Sequence, residues 1–245
     1  MKKNILITFL LISLGLILAL LNITPLAVKA AESNFIFAWS SNSFVPPESE
    51  IRSLPTTNSL IKVVVLPTKP LSPDPEKLYY RWYLDEEPQG WATGQGKSAM
   101  EFRVTKWLGG RYKVECLIYD QPGYLSQPIW QSSLTLKVVS PEILLQNKET
   151  GLALPDRLVT SPGQDLTFVA FPLFFNIKQI SDLNYEWQLE NQVLTPTTNK
   201  NLNELNLKIA AGELTSSLFK KLTVMAKHKI NKLQAASLNL LLEIK

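Results

Sequence analysis

The chain has 245 residues, of which 45% are hydrophobic and 19% are charged. This composition is typical of globular proteins, and the length favours two domains of ordinary size over one large core. Because Lys2, Lys3 and Lys29 belong to an N-terminal leader, residues 31–245 carry 22 basic and 21 acidic side chains. This even balance offers no basic face to a phosphate backbone, so we predict no nucleic-acid partner.

The leader has the features of a membrane-targeting segment. Lys2 and Lys3 precede an apolar run over 5–21, and small residues follow it. The pattern favours a signal peptide cut between Ala30 and Ala31. The run is also long enough, at about 1.5 Å per residue, to nearly cross a hydrocarbon core of about 30 Å, so a retained anchor fits as well. The positive charges before the run predict export of the body in either case, with membrane contact through this segment if it is uncleaved.

Two tryptophans anchor an internal repeat. Trp82 and Trp187 lie in segments that share Leu, Tyr, Trp and Leu at alternate positions, 105 residues apart. Three further pairs of segments keep this offset to within one residue: 61–67 with 166–172, 100–104 with 205–209, and 134–138 with 238–242. Matches in one order along the chain indicate a tandem duplication. The predicted organisation is a leader over 1–33 and two units over 34–139 and 140–245.

Every matched segment alternates apolar and polar residues, which is the pattern of strands that bury one face. Proline, glycine and asparagine turns separate the segments. In the first unit the predicted strands are 35–39, 59–66, 78–85, 99–104, 112–119 and 132–138. The second unit follows the same plan, and no amphipathic helix is indicated after the leader.

The densest acidic cluster is Asp85, Glu86 and Glu87, in the loop after the third predicted strand, with Asp74 and Glu76 in an earlier loop. Calcium needs six to eight oxygen ligands in a set geometry, and no D-x-D-x-D-G loop is present. A pair of catalytic carboxylates for glycoside hydrolysis would need a cleft, which short loops seldom form. We therefore predict solvated loop charges and no metal site.

Several large aromatic residues of the first unit lie near its predicted loops. Trp91 and Trp107 fall outside the strand alternation, and Trp39, Tyr124 and Trp130 belong to the same unit. Large aromatic side chains are mostly buried, so closing the ends of a sandwich or the joint between units is the favoured role. As exposed rings they would form a platform for a sugar or a partner protein. The candidate contact residues are then Trp91, Trp107 and Tyr124.

The segment 93–98 ends in Gly-Lys-Ser, as phosphate-binding loops do. That motif requires a glycine where this chain has Trp91, and it requires a helix afterwards. A strand is predicted there instead, over 99–104. We therefore expect a polar turn, and we predict no cofactor.

The only cysteine and the only histidine limit the available chemistry. Cys116 alone excludes an internal disulfide, and it shares strand parity with Tyr112, which indicates a buried residue in preference to a reactive thiol. His228 has no acidic neighbour in the sequence to orient its ring, so an exposed histidine beside a turn is expected in preference to a catalytic base.

Lysines are dense near the C-terminus, in a predicted hairpin over 219–232. Charged hairpins discourage edge-to-edge pairing of sheets, which is the favoured interpretation. Contact with an anionic envelope surface is the alternative. The lysines are Lys220, Lys221, Lys227, Lys229 and Lys232.

A unit of about 105 residues with about seven short strands and a tryptophan on the third resembles an immunoglobulin-like (Ig-like) domain. Residues 110–114, Gly-Arg-Tyr-Lys-Val, are similar to the G-x-Y-x-V phrase that opens the sixth strand of such domains. That phrase is also frequent in PKD-type surface domains, as is an aromatic and acidic stretch such as 82–85. The inter-sheet disulfide of antibody domains is absent, and the second unit has Leu222-Thr223-Val224 in place of the Gly-x-Tyr phrase.

The resemblance implies an all-β chain of two tandem Ig-like antiparallel β-sandwiches, preceded by an N-terminal hydrophobic helix. The whole chain also resembles exported two-domain proteins of small-genome bacteria, which implies a surface role. We predict a non-enzymatic cell-envelope protein, anchored or secreted, with a structural or adhesive role toward an envelope protein or polymer. The alternative is a carbohydrate- or polymer-binding module that uses the exposed aromatics of the first unit. The scarcity of histidine and cysteine disfavours a hydrolase.

Overall fold

The computed structural model describes residues 34–47, 49–70, 74–121, 127–196 and 201–245. The predicted hydrophobic helix, the cut between Ala30 and Ala31, and Tyr124 all lie outside these residues. Residues 34–245 form one compact unit. Within the described ranges, no helix has the length and apolar character needed to cross a membrane.

Strands dominate the described part of the chain, as the alternation predicts, and two short 3₁₀ turns (Pro75–Lys77 and Ile180–Asp182) accompany them. The first eight strands are β1 (Phe35–Ser41), β2 (Leu60–Pro67), β3 (Tyr79–Leu84), β4 (Glu87–Pro88), β5 (Gly94–Gln95), β6 (Ala99–Arg103), β7 (Arg111–Tyr119) and β8 (Trp130–Lys137). The next eight are β9 (Glu142–Asn147), β10 (Arg157–Thr160), β11 (Asp165–Leu173), β12 (Leu183–Leu189), β13 (Gln192–Leu194), β14 (Glu204–Lys208), β15 (Leu218–His228) and β16 (Ala235–Ile244).

These strands form four sheets in two sandwiches. In the first sandwich, the sheet β1-β2-β6 packs on the sheet β4-β3-β7-β8, where β5 also pairs with β3. In the second, the sheet β9-β11-β14 packs on the sheet β10-β16-β15-β12-β13. The division of strands between the sheets is that of immunoglobulin-like domains. The described part of the chain is thus all-β, with two Ig-like sandwiches in tandem, and the six predicted strands lie within two residues of their observed bounds.

One pairing departs from the fully antiparallel prediction. Strand β10 runs parallel to the outer edge of β16, from Arg157 opposite Leu241 to Thr160 opposite Ile244. Alternation of apolar and polar residues reports which face of a strand is buried, and this pattern is the same for parallel and antiparallel neighbours. The direction of β10 therefore could not follow from the sequence pattern.

The repeat extends to individual hydrogen bonds. Trp82 on β3 and Trp187 on β12 are both fully buried. The indole Nε1–H of Trp82 donates to the Lys97 carbonyl at 2.8 Å, and that of Trp187 donates to the Leu202 carbonyl at 3.0 Å. Each acceptor lies 15 residues after its tryptophan. The two sandwiches therefore use the same bond at equivalent positions.

The turn after each tryptophan strand is also repeated. Asp85 and Glu190 adopt left-handed backbone conformations, with φ of 51° and 54°. The Asp85 carboxylate accepts from the Lys113 backbone N–H at 3.0 Å, and the Glu190 carboxylate accepts from that of Lys221 at 2.8 Å. These bonds offset the strain that a non-glycine residue meets at positive φ. The prediction that Asp85 is only a solvated loop charge is therefore wrong.

Tyr80 and Tyr185 occupy equivalent positions but differ in their hydroxyl contacts. The Tyr80 hydroxyl donates to the Pro75 carbonyl at 3.2 Å, and burial raises the pKa of Tyr80 to about 12. Burial also raises the pKa of Tyr185, whose buried hydroxyl has no hydrogen-bond partner among the described residues. A buried polar group without a partner destabilises the folded state.

We therefore expect opposite results from the two Tyr→Phe variants. Tyr80→Phe should lower the free energy of unfolding by about 1 kcal/mol, because it removes a hydrogen bond. Tyr185→Phe should leave it unchanged or raise it, because only an unpaired hydroxyl is lost. Urea denaturation of residues 34–245 measures both. Equal destabilisation by the two variants would contradict the contrast.

The edge formed by β10 carries an ion pair with a buried acid. The side chain of Glu243 on β16 is only 6% exposed, and the Arg157 Nε–H donates to it at 3.0 Å. The Lys245 ammonium lies 3.7 Å from the other carboxylate oxygen. The hydrogen bond and charge of Arg157 hold the pKa of Glu243 below its usual value. The pair therefore stabilises the fold only while Glu243 is ionised.

This contribution should depend on pH. The unfolded chain, with its higher pKa, takes up the proton first as the pH falls. The stability that Glu243 supplies is therefore complete above about pH 4.3, and it is lost as the pH drops through the lower folded-state pKa. Thermal melts should show Glu243→Gln less stable than the parent at pH 7, with a smaller difference at low pH. Glu101→Gln, at an exposed ion pair, is the control; a difference for Glu243→Gln that does not vary with pH would refute this role.

Candidate functional site

The two sandwiches meet at a joint that backbone hydrogen bonds hold together. Phe44 lies in the long connection between β1 and β2, and its side chain packs against the core of the second sandwich. Its N–H donates to the Phe175 carbonyl at 2.7 Å, and its carbonyl accepts from the Phe174 N–H at 2.6 Å. Phe174 has a φ of 63°, which is unusual for a bulky residue. The first sandwich therefore inserts a side chain into the second.

Buried amide side chains add a second set of contacts across the joint. The Asn176 side-chain N–H donates to the Thr57 carbonyl at 2.7 Å. Gln234, only 3% exposed, donates to the same carbonyl at 3.3 Å and accepts from the Asn176 backbone N–H at 2.8 Å. One carbonyl of the first sandwich is thus held by two amides of the second. Satisfied polar networks of this kind rigidify a structure.

His228 connects this network to the β15–β16 turn. Its Nδ1 accepts from the backbone N–H groups of Ile230 at 3.0 Å and Asn231 at 3.1 Å, and its Nε2 lies 3.2 Å from the Asn176 carbonyl. These partners require a neutral ring with the proton on Nε2. The expectation of an exposed histidine is wrong, because the ring is half-buried and engaged at both nitrogens. It positions the turn.

Removing the ring should loosen that turn. His228→Ala leaves two backbone N–H groups without their acceptor, so we expect a loss of about 1 kcal/mol in stability. Hydrogen exchange at the Ile230 and Asn231 amides should become faster. Lys227→Ala, on the exposed neighbour, is the matched control. Unchanged exchange at both amides would show that His228 does not hold the turn.

A tyrosine positions the loop between β6 and β7 of the first sandwich, which lies across a cleft from the β15–β16 turn. The Tyr112 hydroxyl on β7 accepts from the backbone N–H groups of Thr105 at 2.7 Å and Lys106 at 2.9 Å. This is the tyrosine corner of immunoglobulin-like domains, and it uses the Tyr of the G-x-Y-x-V phrase. Gly110 is required beside it, because a Cβ there would lie 2.8 Å from the Lys106 side chain. The corner holds the loop that carries Trp107.

A cleft of about 470 Å³ opens between these two loops. Trp107 and Leu108 line it from the first sandwich, and Leu233 lines it from the second. Thr57 and Gln234, which belong to the joint network, also contribute to its wall. The cleft therefore depends on the joint, because neither sandwich provides both walls.

Four large apolar side chains beside the cleft are strongly exposed, and together they define the joint patch. Trp107 is 67% exposed, Leu108 66%, Ile230 88% and Leu233 77%. Clustered apolar side chains on a folded surface mark binding sites more often than isolated ones do. The joint patch is therefore the candidate functional site.

The structure places two of the contact residues predicted from the sequence, Trp107 and Trp91, at different sites. Trp107 lies in the joint patch. Trp91, 57% exposed, lies between β4 and β5, where its indole N–H donates to Gln89 at 3.1 Å, and it does not line the cleft. Tyr124 is outside the described residues. The favoured role of Trp91 and Trp107 as buried plugs is wrong, because both rings are mostly exposed.

Three residues of the joint patch were not predicted from the sequence. Leu108, Ile230 and Leu233 lie in connections between strands, where strand periodicity carries no information about burial. Ile230 and Leu233 do carry a signal of their own, because aliphatic residues are out of place in a lysine-rich turn. That signal could have identified half of the patch.

Residues considered for catalysis have structural roles or are buried. The Lys97 ammonium donates to the Trp91 carbonyl at 2.8 Å, and the segment runs into strand β6, as predicted for a turn. Cys116 is fully buried, as predicted, and burial raises the pKa of its thiol above the usual value, so the reactive thiolate is disfavoured. Across the described ranges, no three His, Cys, Asp or Glu side chains cluster as metal ligands.

No protein-family model matches the sequence, and no curated protein is significantly similar to it. Among solved structures, the chain is similar to Dpr2 Ig1–Ig2 from its complex with DIP-Theta, at 10% identity over 79% of this chain and 93% of that one, with a TM-score of 0.27. It is also similar to a C-terminal fragment of intimin bound to its translocated receptor (12%, 78% and 62%, TM-score 0.25) and to Sidekick-1 immunoglobulin domains 1–5 (12%, 84% and 38%, TM-score 0.28). At these TM-scores the matches support no conclusion about function.

Proposed function

We propose that this chain is a non-enzymatic exported cell-envelope protein that binds an envelope component through the joint patch. Its two Ig-like domains would span 34–139 and 140–245, behind a leader over 1–33, and its role would be structural or adhesive. The partner classes that fit this role are an envelope protein or polymer. The observation that carries the proposal is the set of exposed apolar side chains at the joint. Trp107, Leu108 and Leu233 line the cleft between the sandwiches, and Ile230 lies in the turn that also contributes Asn231 to it.

The joint supports this proposal because it makes the patch a preformed surface. The contacts of Phe44 and of Thr57 reach from the first sandwich into the second. His228 and Tyr112 hold the two loops that bear the apolar residues. A surface that is already ordered loses less conformational entropy on binding, so more of the contact energy appears as affinity.

A sugar-binding role is the alternative, and the surroundings of Trp91 favour it. This exposed ring lies next to Gly90, which contributes with Tyr79 and Arg81 to a shallow groove of about 230 Å³. Aromatic rings beside polar groups can stack on the apolar face of a sugar. Trp91 lies apart from the joint cleft, so single substitutions distinguish the two sites.

Substitutions in the joint patch should weaken attachment to envelopes. Trp107→Ala and Leu233→Ala should each lower the affinity of purified residues 34–245 for isolated envelopes by about 10-fold or more, because central apolar anchors dominate binding energy. Quantitative co-sedimentation of labelled protein measures the affinity.

Trp91→Ala is the matched control, since it removes an exposed tryptophan outside the patch. Far-UV circular dichroism and thermal melts check that each variant is folded. Loss of binding in Trp91→Ala alone, together with glycan-array binding that this variant lacks, would favour the sugar-binding role. Full binding by both patch variants would rule out the joint patch as the contact.

A further inference from the structure

The β15–β16 turn, which bears Ile230 and Leu233 of the joint patch, is rich in lysine. Lys227, Lys229 and Lys232 flank Ile230 and Leu233 in and beside the β15–β16 turn, and all three lysines are exposed. Within the described ranges none of them forms an ion pair, whereas Lys106 in the facing loop is neutralised by Asp85 at 2.6 Å. The body as a whole is nearly neutral. Three lysines without an ion pair in these ranges therefore lie in or beside this turn, and the neighbouring acidic residue is Asp182, whose carbonyl accepts from the Lys229 N–H at 3.1 Å.

The residue types favour a lipid surface over a protein surface. Protein interfaces are enriched in arginine and tyrosine and are depleted of lysine. The basic residues that flank Ile230 and Leu233 are lysines, apart from the half-buried His228. Ile230 and Leu233 are also highly exposed, at 88% and 77%, as are side chains that insert into the interfacial region of a bilayer. Lysine stems can lie along acyl chains while their ammonium groups reach the headgroups, and tryptophan concentrates at the membrane interface.

We propose that the joint patch docks on an anionic phospholipid bilayer. Ile230, Leu233, Leu108 and the Trp107 ring would enter the interfacial region, and the three lysine ammonium groups would bind headgroup phosphates. This inference rests on the proposed attachment through the joint patch, and it names the lipid bilayer of the envelope as the contact in place of a protein or polymer. It gives the exported body a membrane contact that does not depend on the leader.

Vesicle binding tests the proposal with residues 34–245, which contain all the described strands and both cores and exclude the apolar leader. The protein should co-sediment with phosphatidylcholine vesicles that contain about 30% phosphatidylglycerol, and much less with pure phosphatidylcholine. Binding should fall as salt rises above about 0.1 M, because ions screen charges at the surface.

Two variants distinguish the contribution of lysine charge to vesicle binding from that of apolar insertion. Each lysine near an anionic surface strengthens partitioning about fivefold, so Lys227→Gln/Lys229→Gln/Lys232→Gln should weaken it by roughly 100-fold. Ile230→Ser/Leu233→Ser should weaken it at least about 10-fold by removing buried apolar area. Lys77→Gln/Lys137→Gln/Lys208→Gln is the control for net charge, and Leu152→Ser, at a residue 68% exposed elsewhere, is the control for apolar loss.

Strong binding to anionic vesicles that both patch variants lose and both controls keep would support the proposal. Equal losses in the control triple variant would overturn it, because the attraction would then be non-specific. Absence of vesicle binding, with patch variants still deficient toward envelopes, would also overturn it and would point to a protein or polymer partner. Patch variants that bind envelopes normally would instead reject the proposed function itself.

Discussion

Each sandwich depends on one buried indole that ties its two sheets together. Trp82 and Trp187 lie on central strands, and their acceptors lie in the connections that lead to β6 and β14 in the facing sheets. The bond therefore crosses from one sheet to the other through the core. Antibody domains place a disulfide between their sheets, whereas a chain with one cysteine must rely on packing and hydrogen bonds.

The joint between the two sandwiches also depends on hydrogen bonds between buried groups. Buried polar groups are stable only when they are paired, so Gln234 and Asn176 hold the Thr57 carbonyl in one place. His228 continues the network into the turn that bears Ile230. Ile230 and Leu233 are the two most exposed large apolar side chains among the described residues, and they are thus carried by a turn that a hydrogen-bonded polar cluster supports. An ordered base under an apolar surface is the expected design of a binding site.

The positions of the reactive side chains and of the exposed apolar side chains agree with binding by surface complementarity. Of the side chains considered as nucleophile or base, Cys116 lies in the core and His228 holds a turn. The exposed apolar side chains of the joint patch lie outside, beside the lysines of the β15–β16 turn. The apolar residues of the patch come from both sandwiches, so the duplication provides a surface that a single Ig-like sandwich lacks.

Local patterns in the sequence determined the all-β fold, the duplication and the bounds of six strands in the first sandwich. Alternation around Trp82 and Trp187 reports burial directly, because successive side chains of a strand face opposite sides. The buried position of Cys116 followed from the same parity. The tertiary structure alone decided the parallel β10, the carboxylate contact of Asp85 and the assembly of the joint patch from two distant loops. These depend on groups far apart in the chain, such as Thr57 with Gln234, and alternation within one strand carries no information about a contact between two distant loops.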